Sequence, residues 1–479
     1  MFFMESFLSL NATYYNTSRQ SLDYPHKLTI FRGLKKIVSR NYWLSISCIT
    51  MSKLIIHGGK KLQGTVTPVP NKNSIIKLIP AALLTDEDLI IHNVPKTSDV
   101  GYMLEILKLL WGSFAWISDS SIKLNAKSVN SYEIDPVLSD KMKASVMFLG
   151  PLLVRFGKAM MPTPQGCKLG TRPLDAFIGN MEKMGAEFTH EWGTYGFEGK
   201  QLKATTIRSR EPSVTGTENL ILLAVKTPGT TTIYNAACEP HTQDLCNMLV
   251  KMGAQIEGIG SNLLRITWVD SLRGCEWTVI SDHLDVAWYI AAAAMTGGEV
   301  TINSAVTAHM GLMLETYEKL GIKCIVDPIH DTITVPSKQT RQIEKTIKGD
   351  LLMIRAQPWP MLPMDIIHTF AVTALSCEWS AIFMNIGYEY AWFFVEELAK
   401  MKARTVMADP HRIITFGPTE WKSANLVCSD IIQAAYGLLL GCMAAEGTST
   451  LNAINPLFRR FPNFVQQFNG LGAQLELVD

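Results

Sequence analysis

Three short clusters in this 479-residue chain join charge, a nucleophile and turn residues in ways that packing alone does not ask for. The first, Asn71-Lys72-Asn73-Ser74, stands just ahead of an apolar run that opens at Ile75. A helix start gathers N–H groups that lack partners, and a lysine there adds a full charge, so the cluster suits an anion. The same residues also read as a plain N-cap with a solvated lysine. The second runs from Pro164 to Asp175 as Pro-Gln-Gly-Cys167-Lys168-Leu-Gly170-Thr-Arg172-Pro173-Leu-Asp175. Its prolines and glycines make it a loop. Lys168 and Arg172 favour the thiolate of Cys167 and make it a usable acid or nucleophile, against the alternative of a spare surface cysteine. The third is Trp359-Pro-Met-Leu-Pro363-Met-Asp365, ahead of the apolar run from Ile366. Capping that helix is the simpler role for Asp365; a general base facing Lys72 across a cleft is the other.

Composition narrows the classes. Apolar residues make up 47% and charged residues 18%, the profile of a well-packed globular protein. A net charge of +1 provides no global field for nucleic acid or an anionic membrane, so neither is expected as a partner. Nine cysteines, scattered without a CxxC pair, fit a reducing compartment, the cytoplasm, and give no zinc spacing. The apolar runs at Val146–Val154 and Ile290–Met295 are too short for a membrane span. P-loop, GxGxxG, HExxH and nucleophile-elbow patterns are missing. Residues 1–50 read as an extension, either disordered or the product of a start placed too early, with Met51 opening the ordered chain.

The elements that must position these clusters repeat. A helix ending in an apolar residue, then Gly and a small residue, recurs at Leu110-Trp111-Gly112, Met184-Gly185-Ala186, Met252-Gly253-Ala254, Leu320-Gly321-Ile322 and Leu471-Gly472-Ala473. Met401-Lys402-Ala403, the fifth of six copies in chain order, lacks the glycine, and the copies lie roughly 70 to 80 residues apart. The glycine is expected to supply the left-handed residue that ends each helix. Apolar runs at Ile75–Leu84, Asn219–Val225, Val286–Met295, Ile366–Leu375 and Ile432–Ala444 have no polar side, which predicts helices buried in a core. A stacked solenoid is one arrangement of such units. Three units closing by pseudo-threefold symmetry, twice over, is the other, with a ligand site in the cleft between.

With these residues in view, the chain from Met51 to Asp479 resembles the UDP-N-acetylglucosamine enolpyruvyl transferase family. The resemblance is carried by Lys61-Leu-Gln-Gly-Thr-Val, Lys72-Asn73, Asn93-Val-Pro95, Leu149-Gly-Pro-Leu, Gly166-Cys167, Arg172-Pro173, Ser213-Val-Thr-Gly-Thr-Glu-Asn219 and Asn235-Ala-Ala with Glu239-Pro240. It implies an α/β fold, a two-lobed inside-out α/β barrel of six βαβαββ repeats in two pseudo-threefold domains. One lobe would be 51–70 plus 283–479 and the other the inserted 71–282. It implies transfer of the enolpyruvyl group of phosphoenolpyruvate to the sugar 3′-hydroxyl, a step in peptidoglycan precursor synthesis, by a monomer without cofactor or metal.

The resemblance also implies roles. Cys167 would be the general acid, Asp365 the base for the sugar hydroxyl, and Lys72 catalytic. Lys72, Lys143, Arg172 and Arg459 would hold phosphoenolpyruvate. Asn73, Arg172, Pro173, Asp175, Ser213, Val214, Gly216 and Asp365 would line the UDP-sugar, with Glu239 and Asp430 in support. The family pattern has Arg at Lys143, Ala391 and Ile432, Lys at Ser98 and His at Phe177, so this chain carries fewer bases. Two other readings follow: a paralogue that binds a UDP-sugar without turnover, and the shikimate-pathway enolpyruvyl transferase, which lacks the Cys167 loop.

Overall fold

Six buried helices organise the chain. In the computed structural model, which describes residues 53–163, 174–388 and 391–478, they are α1 (Lys72–Ala81), α2 (Leu149–Phe156), α3 (Val214–Ala224), α4 (His283–Thr296), α5 (Ile367–Ala374) and α6 (Ile432–Ala444). Each is apolar nearly all round because each is enclosed: α4 is buried from His283 to Met295. Their polar residues concentrate in the first turn. Asn71 caps α1 by accepting from the Ser74 N–H, Ser213 caps α3 through Gly216, and Asp282 caps α4 through Leu284. The apolar runs in the sequence therefore mark these helices but miss their polar first turns.

Among the described residues six sheets cover the helices, five of four strands and one of three. The unit is clearest at Thr206–Arg208, α3, Thr230–Tyr234, the helix Pro240–Lys251, Gln255–Glu257 and Leu263–Thr267. The first two strands pair in parallel across α3, with Thr232 opposite Thr206, and the last two form an antiparallel arm. This is the βαβαββ repeat. In the three-stranded copy the first strand has shrunk to a parallel bridge between Glu133 and Met160. The first and last described strands, Lys53–Gly58 and Leu475–Val478, are neighbours in one sheet, so the chain closes on itself. A solenoid, whose ends stay apart, is excluded.

Buried apolar side chains form two clusters. One, the terminal core, draws on Leu54–Val69 and Leu284–Leu475; the other, the inserted core, on Ile75–Val279. The chain passes between them at a short antiparallel crossing, where Asn71 N–H donates to Ile280 O and Asp282 N–H to Val69 O, both at 2.8 Å. No helix among the described residues is long and apolar enough to cross a membrane.

One helix-end expectation needs correction. In the first copy the left-handed residue is Trp111 (φ +75°), not Gly112. Gly112 is required by space instead, since a Cβ there would stand 2.7 Å from Leu107 Cδ1 and 3.0 Å from its carbonyl oxygen. In the fifth copy Lys402 itself takes φ +70°.

Candidate active site

Lys72 opens α1 and is buried, its Nζ 2.6 Å from Asp99 Oδ2. Asp99 lies in the first turn of the helix Ser98–Leu109, which Thr97 caps. Its second oxygen, Oδ1, faces Arg459 Nη2 at 3.7 Å, and Arg459 belongs to the terminal part of the chain. Burial alone would raise the Asp99 carboxyl, but Lys72 and Arg459 outweigh it and hold it below the usual carboxylate range. Two bases from opposite sides of the crossing thus converge on one carboxylate. An incoming anion would find both already gathered.

Asp365 sits in the single turn Met364–Ile366 ahead of α5. It does not cap a helix with its side chain; Oδ1 accepts from Tyr388 Oη at 2.9 Å and from Gln433 Nε2 at 2.8 Å. The capping reading of Asp365 is thereby set aside. With Leu284, Ile432, Gln433 and Arg460 it lines a cavity of about 20 Å³, room for one water. The N-terminal ends of α4, α5 and α6 meet there. A larger cavity of about 610 Å³ lies at their other ends, beside Met295, Ser376 and Ala444, and holds none of the candidate residues.

The two cores touch near these groups. Cys238 Sγ donates to Trp359 O at 3.5 Å, and the Trp359 N–H reaches the Glu239 carboxylate. Burial pushes Glu239 up to about 7 and its Oε2 has no partner among the described residues. The Trp359 ring packs edge-on against His283 and His309. His283 is fully buried, which drives it down to about 4, so the neutral ring accepts from Asn71 Nδ2 at 3.4 Å. Behind Lys72, Lys77 pairs with buried Glu218 at 3.0 Å, and Thr242 Oγ1 donates to the same carboxylate.

The other expected residues fall as follows. Asn73 is half-buried on α1, and Lys143 opens the 3-10 turn Lys143–Phe148 that runs into α2. Ser213, Val214 and Gly216 form the first turn of α3, Asp175 the exposed start of the helix Asp175–Lys183, and Asp430 is exposed before α6. Cys167, Arg172 and Pro173 lie outside the described residues. Ala391 is fully buried and its carbonyl accepts from His368 Nε2 at 2.8 Å, so that position has become core. Asp99 and Arg460 carry site interactions that the sequence reading did not single out.

This architecture is that of the enolpyruvyl transferases. The fold matches the enolpyruvyl transferase NikO from Streptomyces tendae with a TM-score of 0.78 at 22% identity, covering 89% of this chain and 99% of that one. It matches EPSP synthase from Acinetobacter baumannii with a TM-score of 0.71 at 16% identity, covering 90% and 100%. The profile of the EPSP synthase (3-phosphoshikimate 1-carboxyvinyltransferase) family spans residues 56–468, and the chain belongs to that family. Among its relatives, the UDP-N-acetylglucosamine 1-carboxyvinyltransferase of Bradyrhizobium diazoefficiens is 36% identical over 424 residues, covering 88% of this chain and 97% of the relative. Those of Bacteroides thetaiotaomicron and Borreliella burgdorferi are also 36% identical, each covering 89% of this chain and 100% and 99% of their own.

Proposed function

We propose that this chain transfers the enolpyruvyl group of phosphoenolpyruvate to the 3′-hydroxyl of UDP-N-acetylglucosamine and releases phosphate, the first committed step of peptidoglycan precursor synthesis. The relatives' shared name supports the substrate pair. The observation that carries the reading is the meeting of Lys72 and Arg459 at Asp99, a ready cationic pair for an anionic substrate.

In this reaction Asp365 takes the proton as the hydroxyl oxygen bonds to C2 of phosphoenolpyruvate, and Cys167 gives a proton to C3. The C2–O bond to phosphate then breaks and C3 loses a proton, which restores the double bond. Lys72, Lys143, Arg172 and Arg459 stabilise the phosphate and carboxylate where charge develops. Asn73, Asp175, Ser213, Val214, Gly216 and Pro173 line the UDP-sugar, and Glu239 and Asp430 support the site. The two cores serve as lobes, 51–70 with 283–479 and 71–282, of a cytoplasmic monomer.

Burial of Ala391, which removes one cationic position from the cleft, favours a second reading: a UDP-sugar binding protein without turnover. A phosphate-release assay with both substrates decides between them. Wild type is expected to release phosphate, and Cys167→Ala and Asp365→Asn each at least 100-fold more slowly, a loss typical of one such group. Wild type that binds the UDP-sugar yet releases none would leave the second reading. Release with shikimate 3-phosphate in place of the nucleotide sugar would move the assignment to the shikimate-pathway reaction.

A further inference from the structure

Arg460 is the strongest feature that the proposed chemistry does not use. It is buried, and Nε and Nη2 both bond Asp282, at 2.9 Å to Oδ2 and 2.8 Å to Oδ1. Asp282 is the cap of α4, and its own N–H makes one of the two hydrogen bonds of the crossing between the cores. The planar fork is therefore tied by two hydrogen bonds to the crossing between the cores, which a lysine's single ammonium would not achieve. Arg460 lines the same small cavity as Asp365, Ile432 and Gln433. Ile432 brings no charge to that cavity. Burial opposes the guanidinium's charge; Asp282 first and Asp365 second outweigh it and keep it protonated. The immediately preceding residue, Arg459, points the other way, to Asp99.

We propose that Arg460 is a positioning residue for the transfer reaction: anchored on Asp282 at the crossing, it faces Asp365 with a fixed positive charge and holds the turn that aims Arg459 at Lys72 and Asp99. The inference rests on the reading of Asp365 as the base. Fixing two reacting groups from one anchor matters because a displacement of about 1 Å in a site can cost on the order of 100-fold in rate. A role in folding alone predicts something different. Asp282 stripped of its arginine is a buried uncompensated carboxylate, and removing both charges relieves that penalty.

The test uses the full chain, with phosphate release for kcat and KM, calorimetric binding of UDP-N-acetylglucosamine for an intact cleft, and thermal melting for the fold. Arg460→Met is expected to lower kcat at least tenfold while the nucleotide-sugar Kd stays within threefold. Arg460→Lys, which keeps charge without the fork, is expected to recover part of the loss. The pair Asp282→Asn with Arg460→Met is expected to regain melting temperature and stay slow. If the pair regains kcat together with stability, or if Arg460→Met turns over as wild type, the proposal is overturned. An inactive wild type would instead defeat the enolpyruvyl-transfer reading itself, so the two failures are separate.

Discussion

Asp99 accepts from a lysine on one side of the crossing and faces an arginine from the other, and on the proposed function it stands in for the anion that those bases would hold. Asp99→Asn leaves two buried or half-buried cations facing each other, and removing one partner of a buried pair costs about 3 kcal/mol. The variant is expected to melt earlier than wild type, and inorganic phosphate is expected to restore more of its melting temperature than it adds to wild type. Equal phosphate shifts in both proteins would show that the bases do not form one anion site. Glu239 gives a second prediction. Its carboxyl, raised by burial to about 7 from an ordinary value near 4.5, is protonated in the folded state where the unfolded chain has already ionised. Stability from this group is therefore complete below the unfolded value and is lost as pH climbs toward 7. Glu239→Gln should abolish that loss and exceed wild type by about 2 kcal/mol more at pH 8 than at pH 5, read from denaturant midpoints. Lys72 and Asp365 are legible in the sequence because they interrupt or precede apolar runs. Asp99 is not, since an acid in the first turn after a threonine cap is ordinary helix chemistry. Arg459 and Arg460 are adjacent and alike in sequence, and only the fold makes one half-exposed and the other buried.

The repeated helix–Gly–strand unit shows how the same local signal has different physical grounds in each copy. Gly185 and Gly253 both take positive φ, +90° and +111°. A Cβ at Gly185 would lie 2.4 Å from the Gln201 carbonyl oxygen, whereas nothing lies within 4 Å of one at Gly253. Gly253→Ala is then expected to cost only the left-handed strain, about 1 kcal/mol. Gly185→Ala adds a backbone clash and is expected to cost at least about 2 kcal/mol, with chemical denaturation as the measurement. Lys402 and Trp111, which bear side chains at the same left-handed turn, show that the strain alone is tolerable. The six-fold repeat, and hence the fold class, is legible because burial of whole helices leaves long apolar runs that no surface helix needs. The first turns of α1, α3 and α4 are less legible: their polar residues, which form much of the candidate site, break the very pattern that reveals the helix.

At the scale of the whole molecule, each core has its own apolar interior, and what joins them beside the cleft is polar and small: Asp99 with Arg459, Asn71 with His283, and the Cys238–Glu239 corner against Trp359. Such contacts, with few apolar groups and several hydrogen bonds, belong to the low-stability end of local opening. On the proposed function their separation would admit the substrates without disturbing either interior, since the cavity at Asp365 as it stands holds no more than a water. Trp359 is the largest side chain among them, wedged between His283 and His309, with its carbonyl accepting from Cys238 and its N–H facing the Glu239 carboxylate. Trp359→Ala is expected to weaken this junction by about 1.4 kcal/mol, which raises local opening roughly tenfold. Hydrogen exchange should speed by that factor at residues 238–243 and 357–362 and stay unchanged in α4, whose packing belongs to one core. Faster exchange throughout α4 would mean instead that the cores open as a single cooperative unit, and the cleft would then have no hinge of its own.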